Sequence, residues 1–227
     1  MPATPTSFGR WSTGPWVARR MAPKATGQPV RVYLEAGRTS VFAAALDWPG
    51  WCRRAKTADG ALEVLDSYRD RYGVVVRGTP PRGRLDVIGT VEGNRTTDFG
   101  APDARGPWDE DPPTGGELAR QVGLLGDAWN YFDRVVAVAP EVLRKGPRGG
   151  GRDRDAVVAH VTEAERSYGR KIGARVPPRT PWADQRTALA AALGAGAVET
   201  PWPVGYALRR LAWHVLDHAW EIEDKSG

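Results

Sequence analysis

The chain of 227 residues has one cysteine, Cys52, only three histidines and no long apolar segment. A single cysteine cannot form an internal disulfide, which favours a reducing compartment such as the cytoplasm. No run of 18 apolar residues is present, so a transmembrane helix is not expected. The first 29 residues also lack the continuous apolar core of a secretory signal. These absences predict a cytoplasmic protein without a membrane partner.

The charge balance gives weak information about partners. Lys and Arg number 32 against 27 Asp and Glu, which is a formal net charge of +5. A positive excess favours an acidic small molecule as substrate. Nucleic acid is a much weaker expectation, because the excess is small and no DNA-binding segment is found. A homodimer is left open by the sequence.

Two stretches precede the middle of the chain and differ in character. Residues 1–29 are rich in Pro, Thr, Gly and Arg without periodicity, which predicts a disordered tail. Residues 30–92 have patterns typical of two strands, a helix capped by Thr57 and a third strand, at about 30–35, 39–46, 58–73 and 85–91. That order predicts a small α+β domain.

The segment 93–113 has the composition of a linker, with several glycines and prolines. A structureless connection of this length is uncommon within a compact protein. We expect it to dock against the rest of the chain, with Phe99 and Trp108 as apolar anchors.

From residue 114 onwards the apolar residues recur at helical spacing. The first such series steps by three and four residues and ends before Pro140. Gly- and Pro-rich connections separate it from three further helices, at about 153–172, 182–195 and 204–224. Four consecutive helices predict a four-helix bundle over residues 114–224.

All three histidines lie on apolar faces of these predicted helices. His214 and His218 are four residues apart, so they share one face of the last helix. His160 lies on the inward face of the second. A lone histidine there is usually a core residue with a hydrogen-bond partner, but burying three imidazoles without a common purpose is costly. We predict that the three bind one divalent metal ion, zinc first, with nickel or iron as alternatives.

Two acidic residues are candidates to accept a hydrogen bond from a ligating imidazole. Glu163 follows His160 by three residues, and Asp217 immediately precedes His218. A carboxylate that accepts a hydrogen bond from a ligating imidazole fixes its tautomer and orientation. The alternative, that each is an ordinary helix-surface charge, stays open.

A basic, glycine-rich loop joins the first two bundle helices and is a candidate anion site. Free backbone N–H groups before a helix N-terminus attract negative charge. The spacing is not that of a phosphate-binding Walker loop. The binding interpretation assigns a substrate anion or a cofactor carboxylate to four side chains, and a flexible solvated loop is the alternative: Arg144, Lys145, Arg148 and Arg152.

The helical half resembles a known superfamily. The segments DRDAVVAHVTEAERSYGRK (153–171) and ALRRLAWHVLDHAWEIED (207–224) resemble the second and fourth helices of the DinB-like (YfiT-like) metal-binding bundles. The resemblance implies metal ligands at His160, His214 and His218. It implies no single reaction, since members include transferases and isomerases that use low-molecular-weight thiols such as mycothiol or bacillithiol.

A weaker resemblance concerns residues 30–76, which are similar to the small HicB-like fold. It depends on the Asp47–Cys52 turn, DWPGWC, and on the helix start at Thr57–Ala61, TADGA. Trp51 separates the glycine and cysteine that adjoin in that family. The resemblance implies a binding or scaffolding domain beside the metal pocket.

The sequence therefore predicts an α+β protein with a HicB-like β-β-α-β domain followed by a DinB-like bundle. The expected function is that of a metal-dependent enzyme, either a transferase that depends on a low-molecular-weight thiol or a hydrolase. The alternative is a non-enzymatic binding or regulatory protein in which the metal is structural.

Overall fold

The computed structural model describes residues 27–77, 82–146, 150–196 and 200–226. Within them the chain is of the mixed α+β class, as predicted, and most of the expected tail lies outside the described residues. The strands are β1 (Val30–Ala36), β2 (Val41–Ala45), β3 (Cys52–Ala55) and β4 (Leu85–Glu92). The helices are α1 (Ala58–Ser67), α2 (Arg69–Val75), α3 (Arg95–Phe99), α4 (Gly115–Val138), α5 (Arg154–Gly169), α6 (Trp182–Gly194) and α7 (Val204–Ser226).

The four strands form one sheet in the order β3-β2-β1-β4. Neighbours are antiparallel except β1 and β4, which pair in parallel. A parallel pair needs a crossover, and α1 and α2 supply it. Alternating residues of β1 face opposite sides, because Val32 and Leu34 join the large apolar core whereas Tyr33 joins a second cluster with Trp213. Both faces of the sheet are therefore covered.

The sequence prediction missed strand β3. Its four residues follow directly on the Asp47–Gly50 turn, and Cys52 pairs with Ala44. A strand this short shows too little alternation to be separated from a turn by pattern. The expected helix is also divided at Tyr68 into α1 and α2. Its predicted N-cap is confirmed, because the Thr57 side chain accepts a hydrogen bond from the Gly60 backbone N–H.

The segment 93–113 is more ordered than a linker. It contains α3 and a 3-10 turn at Pro107–Asp109. Trp108 is an anchor as predicted, since its ring centroid lies 4.7 Å from that of Tyr33. Phe99 is not, because it is 92% exposed. Polar anchors hold α3 instead: the buried Thr97 hydroxyl donates to the Glu35 carboxylate at 2.5 Å.

The four predicted bundle helices are present with closely similar bounds, as α4 to α7. Helix α7 is the central one, and α4, α5 and α6 all pack against it. Its residues Leu208, Leu211 and Val215 are fully buried. No helix in the described ranges is both long and apolar enough to cross a lipid bilayer.

The sheet and the helices share one apolar core, which contains residues of both halves of the chain. The β2–β3 turn contacts α7 closely at Gly50, where a Cβ atom would lie 2.6 Å from Leu216 Cδ1. Its φ of +92° also favours glycine. Arg71 of α2 donates to Glu223 and Asp224 at the end of α7, at 2.7 and 2.8 Å. The predicted division into separate domains stays a prediction.

Candidate metal centre

Three histidine side chains converge where α5 crosses α7. One ring nitrogen from each of His160, His214 and His218 lies within 4.8 Å of the other two. The Nε2 atoms of His160 and His214 are 3.2 Å apart. The three ring centroids are separated by 4.7 to 5.1 Å. The convergence expected from the sequence is therefore what the structure has.

This spacing suits a bound ion. Two nitrogens that ligate one zinc tetrahedrally, at 2.0–2.1 Å from it, are roughly 3.3 Å apart. The 3.2 Å between Nε2 of His160 and Nε2 of His214 matches that separation. The His218 nitrogen lies within 4.8 Å of both. The donor chemistry fits as well, since imidazole nitrogens suit zinc, nickel and iron.

The local sequence explains why the rings meet. On α5, the buried residues Val157, Val161 and Glu165 face the bundle and bring the neighbouring His160 to its edge. On α7, the i, i+4 spacing places both other rings one above the other on one face. Tyr168 closes one side, with its ring edge-on to His214 at 5.6 Å between centroids.

A carboxylate on α7 supports one of the histidines. The Nδ1 atom of His218 lies 2.8 Å from Glu221 Oε2, and Lys225 Nζ donates to the other carboxylate oxygen at 2.5 Å. The hydrogen bond from His218 is the largest cause that lowers the pKa of Glu221 to about 2, against the effect of burial. Glu221 therefore orients His218 with Nε2 free for a ligand. Its place three residues after His218 was a usable signal that the sequence prediction overlooked.

The two carboxylates proposed from sequence have other partners. Glu163 is exposed and accepts from Arg166. Asp217 accepts from Arg53 at 3.1 Å, across to the sheet. Neither makes a hydrogen bond to an imidazole, so the supporting carboxylate is Glu221 instead.

Burial keeps two of the histidines neutral. It lowers the pKa of His160, and it lowers the pKa of His214 well below its usual value, with neighbouring imidazoles adding to both effects. Neutral imidazole is the form that ligates metals. The Nδ1 atom of His214 is buried and has no hydrogen-bond partner among the described residues.

The basic loop is only partly described, because Arg148 lies outside the described residues. Lys145 donates to Asp153 at 2.5 Å, and Arg144 donates to the backbone carbonyl of Asp224 at 2.7 Å. Arg152 is exposed, and its charge contributes to the lowered pKa of His160 after burial and His218. The loop as an anion site stays a prediction, and two of its cations already have partners.

Within the described residues the cluster offers three protein ligands and no fourth. Cys52 is buried on β3 and does not belong to it. Burial raises the pKa of its thiol, so it is a poor source of thiolate. Three nitrogens with a free position are the composition of a catalytic zinc site, whereas structural sites are closed by four protein ligands.

Comparison of the chain with protein-family models, with curated proteins and with solved structures gives no match.

Proposed function

We propose that the protein is a metal-dependent enzyme that acts on a small molecule at the three-histidine centre. The observation that carries the proposal is the convergence of His160, His214 and His218, with two Nε2 atoms 3.2 Å apart. Zinc is the ion that this donor set suits first. A divalent ion there supplies Lewis-acid chemistry, polarising a carbonyl or lowering the pKa of a bound water or thiol.

The support around the cluster favours a catalytic over a structural role. Glu221 holds the His218 ring in one tautomer through its 2.8 Å contact, as carboxylates do behind ligating histidines. The described part of the chain provides no fourth ligand to close the site. An open position is where a substrate or water binds in catalytic sites.

The nucleophile is a bound molecule and not a side chain of the protein. The single cysteine is buried against the sheet with a raised pKa. A bound water makes the protein a hydrolase, and a low-molecular-weight thiol makes it a transferase, which is the class implied by the DinB-like resemblance. We propose the thiol-dependent transferase first and the hydrolase second.

Metal content of the purified full-length chain tests the first step. We expect about one equivalent of zinc by elemental analysis of the wild type, and a large loss in His160→Ala and in His214→Ala. Glu163→Gln is the matched control, because that exposed side chain is on α5, like His160, and contacts Arg166 instead. Full metal retention in both histidine variants would contradict the proposal.

Cobalt substitution and ligand screening separate the catalytic from the structural metal. An open site gives a cobalt absorption spectrum that changes when a low-molecular-weight thiol is added, because the thiolate enters the free position. A spectrum that does not respond to thiols, together with a steep fall in melting temperature after chelation, indicates the non-enzymatic alternative with a structural metal.

A further inference from the structure

Arg210 is a buried cation without an anionic partner. It lies on α7 and is 8% exposed. Its Nε and Nη1 atoms have no hydrogen-bond partner among the described residues, and no carboxylate there lies within ion-pair distance of it. The neighbouring Arg209 is equally buried but forms an ion pair with Asp109. Arg186 is also buried and has two nitrogens without a hydrogen bond, but it forms an ion pair with Asp133. Among the buried arginines of the described residues, only Arg210 therefore lacks a carboxylate partner.

A buried guanidinium without an anionic partner lowers the stability of the folded state. Removing a guanidinium from water costs several kcal/mol unless charges and hydrogen bonds compensate. Natural chains retain uncompensated groups of this kind mainly at functional sites. The two free nitrogens of Arg210 are therefore suited to an anion that is not part of the protein.

The surroundings of Arg210 define where that anion binds. The guanidinium carbon lies 4.8 Å from the ring centroid of Trp213 and 5.5 Å from that of Tyr168. Arg210 also lines a narrow cavity between α7 and the sheet, whose volume of about 10 Å³ admits a group the size of a water molecule or a carboxylate oxygen. Glu35 lines the same cavity, but its carboxylate already accepts from Thr97 and from a backbone N–H. Arg210 is left as the uncompensated charge there.

This subsite adjoins the histidine cluster. Arg210 precedes His214 by four residues, so the two share a face of α7 with their Cβ atoms about 5–6 Å apart. Tyr168 borders both, because its ring centroid is 5.6 Å from that of His214 and 5.5 Å from the Arg210 guanidinium. A small molecule that contacts both groups therefore lies along Tyr168.

We propose that Arg210 binds the carboxylate of a small organic acid whose other end reaches the three histidines. The planar guanidinium fork matches a carboxylate with two parallel hydrogen bonds. A dianionic phosphate is less suitable, since Arg209, the other cation lining the cavity, is neutralised by Asp109. The part of the proposal that concerns the histidines rests on the proposed metal-dependent function, and the part that concerns Arg210 does not.

Titration calorimetry of the full-length chain with succinate tests the inference, with succinamide and inorganic phosphate as comparison probes. We expect succinate to bind and the neutral amide not to bind. Arg210→Met should weaken succinate binding at least about tenfold, and Arg210→Lys should weaken it less, because the charge remains but the fork is lost. Arg38→Gln, which removes an exposed cation between β1 and β2, should leave binding unchanged.

The melting temperature of Arg210→Met distinguishes a ligand-binding role from a structural one. Because the residue is an unpaired buried charge, we expect the variant to melt at the same temperature as the wild type or higher. A clear fall, an absence of succinate binding by the wild type, or equal binding by Arg210→Met would overturn the inference. Preference for phosphate over succinate would overturn the choice of carboxylate.

Measurements with and without zinc keep the two proposals apart. If no metal binds and succinate binding is still weakened in Arg210→Met, the proposed function fails and the anion site stands. If zinc binds to the histidines but succinate binding is the same in Arg210→Met, the anion site fails and the proposed function stands. Tighter succinate binding in the zinc-loaded chain, lost in His214→Ala, is the result expected when both are correct.

Discussion

Two neighbouring arginines of helix α7 are buried beside one cavity in opposite ways. Towards the sheet, Arg209 donates to the buried Asp109 and to the hydroxyl of Tyr33, the latter at 3.4 Å. One residue later, Arg210 also contacts Tyr168 and has two nitrogens without a hydrogen-bond partner in the described part of the chain. Burial and residue type are the same, so the difference lies in the surroundings. Arg209 is part of a hydrogen-bond network with Asp109 and Tyr33. Arg210, beside the histidines, has hydrogen-bond donors that no described residue accepts from.

Two buried carboxylates follow the first pattern. Glu165, at the centre of the helical half, accepts from the indole N–H groups of Trp129 and Trp182, both at 2.7 Å. Glu35, under the sheet, accepts from Thr97 and from the Asp103 backbone. Satisfied groups of this kind specify the fold. Beside the histidines, Arg210 differs from the other buried arginines of the described residues because it lacks a carboxylate partner, and this is why we assign the function there.

The largest expected effect is at Arg209. Its replacement in Arg209→Met leaves the Asp109 carboxylate buried without its cation, which costs about 3–5 kcal/mol of the free energy of unfolding. Urea denaturation of the full-length chain measures this. Arg210→Met is the matched control and should show no loss. Similar losses in both variants would mean that the two arginines do not differ and would remove the comparison.

A smaller effect is expected at the polar anchor of α3. Thr97→Val keeps the shape of the side chain but removes the hydroxyl that donates to Glu35. A hydrogen bond to a charged group contributes about 1.5–3 kcal/mol, so the free energy of unfolding should fall by that amount. Thr96→Val, at the neighbouring half-buried position, should change it by less than about 0.5 kcal/mol. Equal effects would show that the Glu35 network is not specific.

The sequence predicted the helical half well for a definite reason. Apolar residues such as Leu118, Leu125 and Phe132 repeat along whole helices, and long periodic patterns determine both the helix and its buried face. The shared face of His214 and His218 followed from the same logic, because i, i+4 spacing is a property of the helix alone. The inward place of His160 followed from the apolar pattern of its own helix. Strand β3 has four residues and offered no comparable pattern.

Supporting and anion-binding residues were harder to predict. Glu221 is on the same helix face as His218, but the prediction considered Asp217, the adjacent residue, which α7 turns towards Arg53. Arg210 resembles any helix-surface arginine in the sequence. Its burial is caused by Trp213, one turn further along α7, and by Tyr168 and the sheet, which are distant along the chain. Such tertiary surroundings leave no local signal.

At the metal centre, Glu221→Gln should weaken zinc binding by about 10- to 100-fold. The amide is a weaker acceptor for His218 Nδ1–H than the carboxylate that now lies 2.8 Å away. Competition with a chromophoric chelator measures the affinity. An unchanged affinity would show that Glu221 merely pairs with Lys225, to which it is also bonded.

The smallest effect is expected at Asp217, which is closer to His218 in sequence than Glu221 is. Asp217→Asn breaks only a partly exposed ion pair with Arg53, and such pairs contribute about 0–1 kcal/mol to stability. We expect a change in zinc affinity of less than about twofold, since the side chain does not contact an imidazole. Weakening as large as in Glu221→Gln would mean that negative charge near His218, and not a directed hydrogen bond, supports the metal ligand.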